Sequence, residues 1–148
     1  MSAAETPVWA EAAALVIKQG VGLGVLPERT RQLALALAWT GLPDTVMSEP
    51  EINVAIKAQL EGAVRCLDTD HVELRRWLVD AGWLSRDGFG RAYRRVPLAA
   101  LRAEQQVLAR PLSETDVAAW AQRLCDEAQR QRERRRRSWL DQQPLRPS

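Results

Sequence analysis

One histidine, two cysteines, two lysines and no long apolar run: each shortage in this chain removes a class of protein. With His71 as the single imidazole, His-rich metal sites and Ser-His or Cys-His nucleophilic pairs have almost nothing to be built from. Cys66 and Cys125 lie far apart and outside any Cys-x-x-Cys spacing, so neither a zinc site nor a disulfide framework is expected. Two free thiols are the plain reading. No segment reaches the roughly eighteen apolar residues of a membrane-crossing helix, and acidic residues precede the first apolar stretch, the wrong order for a signal peptide. A cytoplasmic protein with no membrane partner is expected. The glycines of Gly20-Val21-Gly22-Leu23-Gly24 lack the Gly-Lys-Ser/Thr ending of a phosphate loop and read as a connector. Carboxylates are plentiful, but no nucleophile has a base beside it. The expectation is a non-enzyme without cofactor or metal.

The near absence of lysine turns the charge into an arginine pattern. Nineteen of the 21 basic residues are arginine, whose planar fork suits phosphate and guanine edges. Net charge is +2 over the chain, but the first 70 residues carry −4 and the remainder +6. A basic half on an acidic half is compatible with nucleic-acid binding. At 148 residues and 46% hydrophobic, the chain can bury the core of one compact domain with helical extensions.

Thr6-Pro7 opens a first helix over residues 7 to 19, with Trp9, Ala13, Val16 and Ile17 available for packing. Pro27 opens a second, to about Trp39, with Leu33, Ala36, Leu37 and Thr40 on one face and Arg29, Arg31 and Gln32 turned away. Thr45-Val46-Met47 is a short β-prone piece. Ser48 and Glu51 stand in capping-box spacing before a third helix that carries Ile52, Ile56, Leu60 and Ala63 on one side.

Residues 70 to 96 are the most informative stretch. Leu74, Trp77, Leu78 and Ala81 fall at i, i+3, i+4 and i+7, the apolar stripe of a helix. Asp70 and Glu73 are placed to cap it, and Gly82 stands where a helix stops. The period then changes. Trp83 to Arg86, the turn Asp87-Gly88-Phe89-Gly90, and Ala92 to Val96 before Pro97 read as a two-stranded hairpin. Helix, extended piece, helix, turn, helix and hairpin is the order of a winged helix-turn-helix. The fold expected is mainly α with a small β-hairpin, a winged helix-turn-helix core with N- and C-terminal helical extensions. Its parts are an N-terminal helix and connector (1–26), the winged-helix domain (27–96), C-terminal helices with an Arg-rich end (97–139), and a disordered tail (140–148). Within the third part, Leu98 to Ala109 reads as one helix stopped at Arg110-Pro111. A second follows the cap Ser113 to Asp116, with Val117, Trp120, Ala121, Leu124 and Ala128 as its stripe.

The run EINVAIKAQL followed by DTDHVELRRWLVDAGWLSRDGFGRAYRR resembles an uncharacterised bacterial domain family, domain of unknown function number twenty eighty-seven. The likeness rests on Glu51, Ile52 and Asn53; on Asp68 and Asp70; on Leu74, Arg75, Arg76, Leu78, Val79 and Asp80; and on Leu84, Arg86, Gly90 and Tyr93. The Pro27 to Trp39 helix matches as well. Met47 and Arg94 depart from it, standing where aromatics are usual. Such domains occur alone or attached to helix-turn-helix regulators, so the resemblance implies a role in transcription.

The candidate DNA-binding residues are His71, Arg75 and Arg76 on the helix and Arg86, Arg91, Arg94 and Arg95 on the wing. Two readings stay open for the helix pair: contact with DNA, or ion pairs in which Arg76 meets Asp80 and Arg75 meets Asp68 or Asp70. Wing arginines can contact the DNA backbone or merely protect an edge strand. Arg130, Arg132, Arg134, Arg135, Arg136 and Arg137 form an accessory basic tract. Expected partners are double-stranded DNA and a second copy, paired through the terminal helices. The competing function is a protein-interaction module on the same scaffold.

Overall fold

The structure, a computed structural model, describes residues 7–89 and 91–143. Its elements are α1 (Pro7–Val16), α2 (Glu28–Thr40), α3 (Glu49–Glu61), α4 (His71–Asp80), β1 (Leu84–Arg86), β2 (Tyr93–Arg95), α5 (Ala103–Leu112) and α6 (Val117–Asp141). The protein is mainly helical with one small antiparallel hairpin, as the periodicity predicts.

α2 is the axle of the fold. α1, α3, α4 and α5 all pack on it. Every residue from Leu33 to Trp39 is therefore buried, and its apolar surface is wider than a single stripe. The expectation that Arg31 and Gln32 face water is corrected by the same enclosure. The Arg31 guanidinium lies 4.9 Å above the Trp77 ring and donates to the Leu26 carbonyl, and it pairs with Glu28. Gln32 Oε1 accepts from the Trp83 indole at 2.8 Å.

Local chemistry places the helix ends. Ser48 Oγ accepts from the Glu51 amide while Glu51 Oε1 accepts from the Ser48 amide, closing the capping box at the start of α3. Those bonds hold the Glu51 carboxyl below its usual range. Asp70 caps α4 by accepting from the Glu73 amide at 2.8 Å, without the reciprocal Glu73 bond. α4 ends at Gly82, whose φ of +82° is a left-handed conformation. A Cβ there would meet only side-chain atoms at 3.6 Å or more. Gly82→Ala is therefore expected to cost about 1 kcal/mol through the backbone alone. Urea unfolding checks it, and a neutral result would mean that the turn relaxes.

Met47 exchanges both backbone hydrogen bonds with Tyr93 at 2.8 Å and joins the edge of the hairpin. The β-prone piece before α3 is thus a one-residue bridge. The glycine connector is not loose either. Val21 donates to the Cys66 carbonyl at 2.8 Å and accepts from the Asp68 amide at 2.7 Å, and Leu23 is buried.

The terminal helices fold back onto the core. Trp9 meets Trp120 edge-on with centroids 4.6 Å apart, and Val117 and Ala121 are buried. Trp9, Val16, Val117 and Ala121, from the apolar stripes on which pairing of two subunits was expected, are buried within one chain. α5 begins at Ala103 and not at Leu98, because Arg102 and Gln105 form its N-terminal cap. Pro111 sits inside its last turn instead of ending it. α6 continues through Leu140 to Asp141, beyond the expected start of a tail. Thr6, Gly90 and residues 144–148 lie outside the described residues.

Candidate functional site

The hairpin is fixed to the body by its base. Trp39 and Trp83, both fully buried, lie 5.9 Å apart, and the Trp39 indole donates to the Val96 carbonyl at 2.8 Å. Strand register pairs Leu84 with Arg95, Ser85 with Arg94 and Arg86 with Tyr93. Alternation then puts Leu84, Arg86, Tyr93 and Arg95 on the face toward the helices, and Ser85 and Arg94 on the other.

The expected arginine set divides on this geometry. Arg95 is half-buried and engaged by the body of the fold. Its guanidinium lies 3.9 Å above the Trp39 ring and donates to the Thr40 and Leu42 carbonyls at 3.3 and 3.2 Å, satisfying the C-terminal end of α2. Burial pulls its pKa below the usual arginine value.

Arg75 is likewise a structural residue. Only 17% of its side chain is exposed; it donates to Asn53 Oδ1 and lies 3.4 Å from Glu49. The Tyr93 ring sits 5.6 Å below its guanidinium. Its partners come from α3, and not from Asp68 or Asp70. Arg76 is exposed and makes no ion pair with Asp80, so the expected i, i+4 bridge is not formed.

What remains available is a smaller group. Arg76 and Arg86 flank a recess of about 180 Å³ between α4 and the hairpin, with Arg75 and Tyr93 in its lining and Asp80 as its acid. Arg91 is exposed beside the turn, where Asp87 Oδ1 accepts from the amides of Phe89 and Arg91 at 3.2 and 2.8 Å. Arg94, on the outer face, lies 3.8 Å from Asp44, and both side chains are more than half exposed. Such a pair is weak and open to exchange. His71 is half-buried at the first turn of α4. The outward part of that helix carries Glu73 and Asp80 against Arg76.

Two features of the region were missed in the sequence. Asn53 is the acceptor that orients Arg75; the family-like Glu-Ile-Asn run was its signal. Phe89, at the tip of the hairpin, is 87% exposed, a position that no periodicity reveals.

The accessory tract also divides. Arg130 and Arg134 share Glu127 at 2.8 and 3.0 Å, and that pairing, Arg130 foremost, lowers the Glu127 pKa. Arg132 donates to the Ile17 carbonyl at 2.8 Å. Arg135, Arg136 and Arg137 form no ion pair among the described residues. Elsewhere, burial pushes the Cys66 thiol up to about 11, which leaves it mostly protonated and a poor nucleophile at neutral pH. No group of three or more potential metal ligands occurs among the described residues, and none of their helices is long and apolar enough to cross a membrane.

The arrangement defines a helical domain in which Arg76 of α4 and Arg86 of the hairpin flank one recess, with Arg91 and Arg94 exposed elsewhere on the hairpin. Residues 26–95, from just before α2 to the end of β2, match the model of a family described as uncharacterized protein conserved in bacteria (DUF2087). That match holds α2, α3, α4 and the hairpin, and leaves α1, α5 and α6 outside. No curated protein and no solved structure matches the chain.

Proposed function

We propose that this protein is a DNA-binding winged-helix protein of the bacterial cytoplasm, acting in transcription and not as an enzyme. On this reading α2, the Met47 bridge, α3, α4 and the hairpin are the winged-helix order, and the hairpin is the wing. The observation that carries it is the set of exposed arginines on these two elements: Arg76 and Arg86 at the recess between them, Arg91 beside the turn and Arg94 on the outer face of the hairpin. Guanidinium groups whose charge is not consumed by close carboxylates are suited to phosphate. Because α4 carries Glu73 and Asp80 outward, the duplex is held mainly by its backbone, through the wing and the C-terminal half of α4.

Binding of a labelled duplex, measured by anisotropy across salt, tests the reading. Four phosphate contacts predict a slope of log K against log[salt] of roughly −3.6, and Arg86/Arg91/Arg94→Ala should flatten it by about 2.7. Undetectable binding at low ionic strength defeats the proposal. Equal binding by the triple variant removes the wing from it.

One observation favours the second reading, a protein-interaction module. On the other flank of α4 a recess of about 480 Å³ is lined by Asp70, Val72, Glu73, Arg76, Trp77 and Asp80. Acids beside an exposed valine and a half-buried tryptophan suit a basic, apolar segment of a partner protein better than a phosphate chain. A duplex affinity that ignores salt would favour that alternative.

A further inference from the structure

A second cationic recess lies where residues 16–20, Arg65 and residues 125–132 meet, and it shares no residue with the recess between α4 and the hairpin. The end of α1, the turn after α3 and the middle of α6 enclose a recess of about 440 Å³. Lys18, Arg65 and Arg132, one from each segment, converge on it, and Asp126 is its single acid. The wall therefore carries a net charge of about +2 at neutral pH. Val16 and Ile17 add apolar surface, Ile17 being 38% exposed.

The two guanidinium groups are already held in place, and by neutral partners. Arg65 donates from Nε to the Gly62 carbonyl at 3.0 Å and from Nη2 to Gln122 Oε1 at 2.7 Å. Arg132 donates to the Ile17 carbonyl at 2.8 Å and to Gln129 Oε1 at 3.3 Å. Amides and carbonyls orient these side chains without cancelling their charge. No carboxylate among the described residues lies within 4.0 Å of the charged nitrogens of Lys18, Arg65 or Arg132. Asp126 Oδ1 accepts from Gln122 Nε2 at 2.8 Å. Some exposed arginines of this chain are paired with acids, as at Arg29–Glu11 and Arg130–Glu127. Three cations around one concavity, none in a close ion pair and two of them pre-oriented, are arranged for an anion brought from outside.

We propose that this recess binds a small organic phosphate monoester. A dianion matches the wall charge, its oxygens suit the guanidinium forks and the Lys18 ammonium, and its carbon frame meets Val16 and Ile17. The volume fits a sugar-phosphate-sized molecule.

Titration calorimetry on the full chain with ribose 5-phosphate tests this, with inorganic phosphate and chloride at matched ionic strength beside it. The expected result is one site for ribose 5-phosphate, weaker binding of inorganic phosphate and none of chloride. Lys18→Gln removes an exposed side chain with no hydrogen bond of its own, and should weaken ribose 5-phosphate about tenfold. Arg132→Lys keeps the charge but loses the fork, and should weaken it as well. The Arg86/Arg91/Arg94→Ala variant should bind ribose 5-phosphate like the parent, which separates this site from the proposed DNA edge. Heat no greater than that of chloride overturns the proposal. So does parental affinity in both Lys18→Gln and Arg132→Lys, or loss of binding in the wing variant.

Discussion

Trp39→Ala is expected to remove about 3 to 5 kcal/mol of stability, a large part of the roughly 5 to 15 kcal/mol that a domain commonly has. Three losses combine at this one residue. A fully buried indole leaves a cavity in the centre of the core, against Trp83. The Val96 carbonyl loses its 2.8 Å donor, and Arg95 loses the ring on which its guanidinium rests. Trp39→Phe keeps a ring under Arg95 but not the N–H, and should cost less, about 1 to 2 kcal/mol. Urea unfolding of the three proteins gives the comparison. A Trp39→Ala cost below about 1 kcal/mol would show that the hairpin base is not held as described.

The second large effect concerns Arg75, because its role decides what the helix arginines do. Arg75→Ala leaves the half-buried Asn53 amide without its charged donor and frees Glu49 and Tyr93, so a cost of about 2 kcal/mol is expected. Asn53→Ala should cost a similar amount, since it leaves a guanidinium that is only 17% exposed without that acceptor. In the double variant the losses should overlap by about 1 to 2 kcal/mol, the signature of a direct pair. Duplex binding by the folded Arg75→Ala protein should stay near the parental value while Arg86→Ala weakens it. The opposite ranking would return Arg75 to the DNA-facing group.

These two residues show where sequence reasoning stopped. The helix over 70–81 was readable because Leu74 and Leu78 repeat at helical spacing and Asp70 and Gly82 bracket them; all of that is local chemistry. The α3 capping box was readable for the same reason. Arg75 and Arg95 were not. A charged residue at helical or strand spacing faces water on any periodicity argument, yet both lie over aromatic rings from other elements. Arg95 in particular fills a place that exists only when the end of α2 meets the hairpin. The family-like Asn53 carried the hint for Arg75, but 22 residues separate the pair.

The terminal helices make the same point on a larger scale. Their apolar stripes, seen in isolation, ask for a partner, and a second copy satisfies that demand as well as the chain itself does. Packing of α1 and α5 on α2, and of α6 on α1, buries much of that surface within the chain. It also brings Lys18, Arg65 and Arg132 together from positions 47 and 67 residues apart in the sequence.

Composition and periodicity alone determined the fold class, the starts of α3, α4 and α6, the hairpin and the scarcity of imidazole and thiol chemistry, because each depends on residue type and spacing within about one turn or strand. Only the tertiary structure decided which arginines are free. Whether a guanidinium is spent on a carbonyl, a ring or a carboxylate depends on what distant segments bring within 4 Å, and no local pattern records that.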